Sequence, residues 1–172
     1  MIPWSVICNT ARKSMKIATL GIVLDGKGNT LLGEKKRGEI GTGVLAGPGG
    51  KLEPEDTSYE GCLLRETREE WGLELADLEH VARIDFYAHG MPDFHVEVYI
   101  AHIKSGEPTE TNDFWKPEWY PLSNLPLERM FEGDRKWFSK AAQGEKFCAN
   151  VYYKDQAKDF DRIEFLPFVP LT

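Results

Sequence analysis

The segment Arg-Glu-Thr-Arg-Glu-Glu-Trp-Gly-Leu, residues 65 to 73, gathers Glu66, Glu69 and Glu70 between and beside two arginines. Projected on a helix at about 100° per residue, the acids share roughly 100° of arc, and Leu63, Leu64, Thr67 and Trp71 fill the adjacent arc. One stripe packs, and its neighbour is acidic. A solvated face explains most charge runs. Here, however, Glu66 and Glu70 stand at i, i+4 spacing, where like charges cost roughly a few tenths of a kcal/mol unless a cation intervenes. Clustered carboxylates suit Mg²⁺ or Mn²⁺, hard ions that prefer oxygen and bridge protein to phosphate. Arg65 is spaced to pair with Glu69, orienting one carboxylate while the others bind metal.

Such a face needs elements to hold it. Thr57 with Glu60 fits a capping box ahead of the helix, and Gly72 stands where it would stop. The piece before it, 39–56, is glycine-rich with two prolines, which rules out a regular helix and leaves a structured loop with room for a short strand. Residues 17–25, "IATLGIVLD", read as a strand entering the turn "GKGN", and "TLLGEKKRG" reads as the return strand. "LEHVARIDFYAH" and "FHVEVYIAHIK" read as a strand pair around "GMPD", and "CANVYYK" and "DRIEFLPFV" as a closing hairpin. "RKWFSKAAQ" reads as a second helix, whereas "KPEWYPLSNLP" looks irregular. Trp137 and Phe138 read as core, and His89, His95 and His102 as structural or surface groups. Strands with two helices and no repeat or linker indicate one α/β or α+β domain over 17–172. Residues 1–16, basic and free of acids, read as a flexible N-terminal extension.

Composition narrows the partners. The chain has 172 residues, 41% of them hydrophobic, which suits one domain with a sizeable core. A net charge of -7 argues against general affinity for nucleic acid or an anionic membrane. Cys8, Cys62 and Cys148 are odd in number and lack the paired spacing of a zinc or redox site, so a reducing, cytoplasmic setting is expected. No apolar run approaches the roughly 18 residues of a membrane span.

The longer run 47–73, with Gly49-Gly50, an acidic turn, Arg65-Glu66, Glu69-Glu70, Gly72 and Leu73, resembles the Nudix box. One spacing departs: Gly50 and Arg65 lie 15 positions apart, one more than is usual in that family. The extra residue falls in the turn before the helix, where a loop absorbs it and where Asp56 or Glu55 would stand for the family's first glutamate. The resemblance implies an α/β/α sandwich with a central mixed sheet, a divalent-metal requirement, and hydrolysis of a nucleoside diphosphate linked to another moiety. By matching positions it implies Glu66, Glu69 and Glu70 as metal ligands, the Gly49 carbonyl as a further oxygen, and Arg65 beside them. Glu70 or a loop acid would be the base; Asp113 is the candidate on the late loop, with Glu110 next, and an ordinary turn aspartate is the alternative.

Beyond the box, most of residues 17–165 resemble the MutT-homologue branch that hydrolyses oxidised purine nucleoside triphosphates. That likeness implies a pocket built from Thr19, Lys35, the position of Ala46, Phe131 and Asp134. Three positions depart from it. Gly133 stands beside Asp134 where a second aspartate is expected, Phe131 replaces a stacking tryptophan, and Ala46 replaces a base-reading asparagine. Lys35, Lys36 and Arg37 read equally as a solvated strand end or as a basic cluster beside a triphosphate. The expected partner is a small-molecule nucleotide, and the expected state a monomer or homodimer. Other readings stay open: a Nudix pyrophosphatase of ADP-ribose, a nucleotide sugar, coenzyme A or a dinucleoside polyphosphate, and a catalytically silent nucleotide-binding module.

Overall fold

The computed structural model describes residues 15–172. Most of the N-terminal extension, 1–14, therefore lies outside the described residues; Met15 is buried and Lys16 opens the first strand. The elements run β1 (Lys16–Val23), β2 (Asn29–Glu34), β3 (Leu45–Ala46), α1 (Tyr59–Trp71), β4 (Glu74–Ala88) and β5 (Met91–Ser105). They continue with β6 (Glu118–Pro121), α2 (Asp134–Ala142), β7 (Phe147–Asp155) and β8 (Lys158–Leu166).

A five-stranded mixed sheet has the order β1-β5-β4-β7-β8, and a three-stranded sheet has the order β3-β2-β6. In the larger sheet β1 is parallel to β5 and β4 to β7, while β4–β5 and β7–β8 are antiparallel hairpins. Adjacent strand residues point to opposite faces, and the core divides accordingly. Ile22, Leu32, Val98 and Ile100 pack with Trp137, Phe138 and Ala141 of α2. Their immediate neighbours Val23, Leu31, Tyr99 and Ala101 pack with Leu63 and Trp71 of α1. The sheet is thus covered by a helix on each face, which is the expected sandwich.

The expected return strand takes a different partner. The Asp25 carboxylate accepts from the backbone N–H of Lys27 at 2.7 Å and Asn29 at 3.0 Å, closing an Asx turn. β2 then stays out of the larger sheet and pairs antiparallel with β3 and β6. The segment around residues 116–126, which looked irregular, contains that short edge strand β6, with Pro117 just before it and Pro121 as its last residue, edge positions where missing N–H groups are tolerated.

Helix α1 begins one residue later than the capping-box pattern suggests. Ser58, not Thr57, is the N-cap, extended at φ -158° and accepting from Gly61 N–H. Gly72 ends the helix in the left-handed region at φ 67°, its N–H returning to Arg68 and Thr67 carbonyls. Trp71, fully buried, meets Phe114 edge-on at 5.4 Å and fixes the C-terminal end of α1 beneath the loop that carries Asp113.

Candidate active site

A cavity of about 450 Å³ opens between β1, the 37–53 loops, the N-terminus of α2 and β7. Its first wall is the glycine loop, which runs along β1. Thr19 N–H donates to the Gly50 carbonyl at 2.9 Å and Gly21 N–H to the Pro48 carbonyl at 2.7 Å. The carbonyl between them, Gly49, takes no backbone hydrogen bond among the described residues. A Cβ on Gly49 would come within 2.0 Å of the Thr19 carbonyl, so only glycine allows this approach. A Cβ on Gly50 would lie 2.4–2.8 Å from the Glu66 carboxylate, which therefore rests directly against the loop backbone.

Arg65 is the hub of the acidic face. It grips Asp56 with two hydrogen bonds, 2.9 and 2.8 Å, and reaches Glu66 at 2.8 Å, Glu69 at 3.2 Å and the Lys51 carbonyl at 3.2 Å. Asp56, held by Arg65 well below the usual carboxylate range, also accepts from Glu53 N–H and so ties the inserted turn to the helix. Asp56 is consequently a positioning group, and Glu55 faces solvent.

The three helical acids do not share one environment. Glu66 is 8% exposed and lines the cavity; burial raises its pKa and Arg65 opposes the rise. Glu70 also lines the cavity, and its pKa is pushed up to about 8, first by burial and then by the charge of Glu66, with Lys35 pulling the other way. Its Oε2 is buried without a hydrogen-bond partner among the described residues. Glu69, with a side chain 61% exposed, turns to Arg65 and is not part of the cavity lining.

Among the described residues no three His, Cys, Asp or Glu side chains converge closely enough to hold a metal ion. The donor chemistry nevertheless fits a hard cation. Two acids whose ionised forms are disfavoured, one with an orphaned buried oxygen, line the same cavity as Gly49, whose carbonyl is free of backbone bonds. Glu66, Glu70 and the Gly49 carbonyl are the groups that would hold it, and Glu69 would join only by leaving Arg65.

Lys35, Arg37 and Asp113 line the cavity near Glu70. Arg37 donates to Asp113 at 2.7 Å, and the Asp113 charge is one of those that raise Glu70. Glu110 pairs with Lys36 and lies outside the lining, so of the two loop acids Asp113 is the one beside the helix.

The opposite end is apolar with few polar groups. Ala46, Phe131 and Asp134 line the cavity together with Leu20, Val96 and Trp137, and Thr19 lines it beside the glycine loop. The Thr19 hydroxyl is turned to Cys62 Sγ at 3.4 Å. Phe131 sits under the loop: a Cβ on Gly41, itself at φ 83°, would approach the ring to 2.5 Å. Asp134, in the first turn of α2, is 7% exposed, and burial pushes its pKa up to about 7. The Trp137 indole opposes that rise, although its N–H finds no well-formed hydrogen bond.

Trp137 and Tyr153 are among the cavity residues that escaped the sequence reading. Trp137 is core, 1% exposed, and lines the cavity as well. Tyr153 also lines it, and the buried alternation of Phe147, Ala149, Val151 and Tyr153 along β7 is the signal that points it inward. His95, as expected, is structural: it is buried between Asp85 and Glu97, outside the cavity lining.

Comparison with known proteins matches this architecture. The family model for the NUDIX domain aligns with residues 15–141. An oxidized purine nucleoside triphosphate hydrolase from Mus musculus is 35% identical over 142 residues, covering 82% of this chain and 88% of that protein. An 8-oxo-dGTP diphosphatase from Proteus vulgaris is 34% identical over 85 residues, covering 49% of this chain and 71% of that protein. The crystal structure of a mutator MutT protein from Bacillus halodurans superposes with a TM-score of 0.67 at 22% identity, covering 87% of this chain and 97% of that one, a likeness of fold. The box on α1, the sandwich that holds it and this run of matches place the chain in the NUDIX domain family, among the Nudix hydrolases.

Proposed function

We propose that this Nudix hydrolase is a metal-dependent nucleoside triphosphate diphosphatase that releases a nucleoside monophosphate and pyrophosphate, with purine nucleotides, oxidised ones among them, as substrates. One observation carries the reading: a single cavity joins an acidic end, Glu66 and Glu70, to an apolar end holding Phe131 and Asp134. A triphosphate fits the first and a base the second. The mouse and Proteus relatives, named for oxidised purine nucleotides, support the same division.

A Mg²⁺ or Mn²⁺ ion held at the acidic end supplies charge neutralisation for the diphosphate and an acidified water. The chain's own residues do the rest. Lys35 and Arg37 bring positive charge to the phosphates. Glu70, ionised once a cation takes the place of its proton, or Asp113 next to it, accepts the proton of the attacking water. Arg65 keeps Glu66 and the inserted turn in place. Phe131 offers its ring face to the base, and Asp134 reads its edge. The cytoplasm, where nucleotide pools lie, is the proposed setting, and the proposed partner is a small nucleotide alone.

The test is a panel of nucleotides incubated with Mg²⁺ and resolved by chromatography. It includes dGTP, 8-oxo-dGTP, dATP, 2-oxo-dATP, ADP-ribose, a nucleotide sugar, coenzyme A and a dinucleoside polyphosphate. Monophosphate plus pyrophosphate from the purine triphosphates is the expected result. Turnover confined to ADP-ribose or another diphosphate-linked compound would replace the triphosphate reading, and silence across the panel would leave a binding module.

A further inference from the structure

Beside Asp134 the pocket carries a second polar group that neither the box nor the resemblance assigns. The backbone at Gly133 has no room for a side chain: a Cβ there would come within 2.7 Å of the Tyr153 hydroxyl and 2.8 Å of Val151 Cγ1. The space next to Asp134 is occupied by a phenol instead. Tyr153 is 5% exposed, its ring held edge-on by Phe160 at 5.9 Å, and its oxygen accepts the Gly133 N–H at 2.8 Å. That bond uses a lone pair of the oxygen. The hydroxyl proton has no protein acceptor among the described residues, and the residue lines the cavity. Burial, followed by the charge of Asp134, keeps the phenol protonated. It is therefore a fixed donor.

Asp134 alone does not select a base edge, because a carboxyl accepts through one oxygen and, when protonated, donates through the other. Tyr153 breaks that symmetry. A lactam edge presents a carbonyl oxygen next to an N–H, which matches a phenol donor beside a carboxyl acceptor. An amino edge presents an NH₂ next to a bare nitrogen, and sets two donors against each other at the phenol. Resting on the proposed triphosphate activity, we propose that Tyr153 is a specificity-determining residue that donates its hydroxyl proton to the 6-oxygen of a purine, selecting 6-oxopurine over 6-aminopurine nucleotides.

Hypoxanthine and adenine differ only at this edge, so the test compares kcat/KM for dITP and dATP, with Mg²⁺, in the wild type and Tyr153→Phe. The wild type should favour dITP, and the variant should lower the dITP to dATP ratio about tenfold, mainly through KM. Tyr153→Phe also strips the Gly133 N–H of its partner, so thermal melts accompany the kinetics, and a ligand-side measurement covers a variant that does not fold. On the wild type, replacing dITP by its 6-thio analogue, which keeps the N1 proton but offers only a weak acceptor, should lower kcat/KM about tenfold. A wild type indifferent to the 6-substituent, or a folded variant with an unchanged ratio, overturns the role of Tyr153 and leaves the triphosphate reading standing. A wild type that hydrolyses no nucleoside triphosphate overturns both.

Discussion

Replacing Asp134 by asparagine should abolish a pH dependence of stability that this one carboxyl creates. Burial moves its pKa from 3.8 to about 7 in the folded protein. Between those values the folded chain binds more protons than the unfolded one, so stability falls as pH rises through the interval, and the loss is complete above the folded pKa. A difference of roughly 3 units at 1.36 kcal/mol each makes the full effect about 4 kcal/mol, an upper figure for a carboxyl with 7% exposure. The asparagine side chain keeps the shape and does not titrate. Urea midpoints for the metal-free wild type and Asp134→Asn, taken from pH 5 to pH 8.5, should therefore diverge, the variant gaining on the wild type as pH rises. Glu66 and Glu70 titrate in both proteins and cancel in the difference. A difference curve that stays flat within about 0.5 kcal/mol across the range would refute the claim that Asp134 is buried uncompensated.

Glu70→Gln replaces a carboxyl that keeps its proton in the metal-free protein near pH 7 with a neutral amide, so metal-free thermal stability should hold, while kcat at saturating Mg²⁺ falls on the order of a hundredfold or more, measured by pyrophosphate release against Mg²⁺ concentration. Excess chelator should silence the wild type, with Mg²⁺ or Mn²⁺ restoring it; undiminished turnover in chelator would remove the metal from the mechanism. Gly41→Ala places a Cβ 2.5 Å from the Phe131 ring at a positive φ, so it should cost on the order of 1–2 kcal/mol and raise KM for nucleotides, read by a thermal melt and initial rates. Arg65→Lys loses the paired grip on Asp56 and should weaken apparent Mg²⁺ affinity about tenfold, seen as a shifted Mg²⁺ activation curve.

The helix was legible because its signals are local: glycine at one end, a polar cap at the other, and two stripes at helical spacing. Its start was misplaced by one residue because Thr57 and Ser58 are both competent caps, and only the backbone decides between them. β6 was missed for a different reason. Its pairing with β2 is a tertiary fact, and a proline just before it and another at its last position obscure a strand of 4 residues. Within the site, the sequence offered Asp113 and Glu110 from one loop, in that order; Trp71, buried against Phe114, sets the height of that loop and brings Asp113 to the cavity. The alternation along β7 turns Tyr153 inward, but its arrival at the pocket was illegible. Its place depends on β7 passing under the start of α2 and on Gly133 having no side chain, neither of which is encoded near residue 153.

The crowding of like charge on α1 has a structural answer that spacing alone only half supplies. Arg65 divides its guanidinium among Asp56, Glu66 and Glu69, so three of the acids are gripped by the chain itself, although burial still outweighs that grip at Glu66. Glu70 receives none of that grip: its Oε2 is orphaned and its proton is held up to about pH 8. Without a cation the face is thus neutralised by one arginine at one end and by a retained proton at the other. A divalent ion would displace the proton rather than relieve the arginine, because the uncompensated oxygen is on Glu70 and not on Glu69. Binding of metal should accordingly release close to one proton per site near pH 7, from Glu70. Titrating Mg²⁺ into weakly buffered protein and reading the pH change tests this directly: release in the wild type that vanishes in Glu70→Gln and persists in Glu69→Gln supports the assignment, and equal release from both variants overturns it.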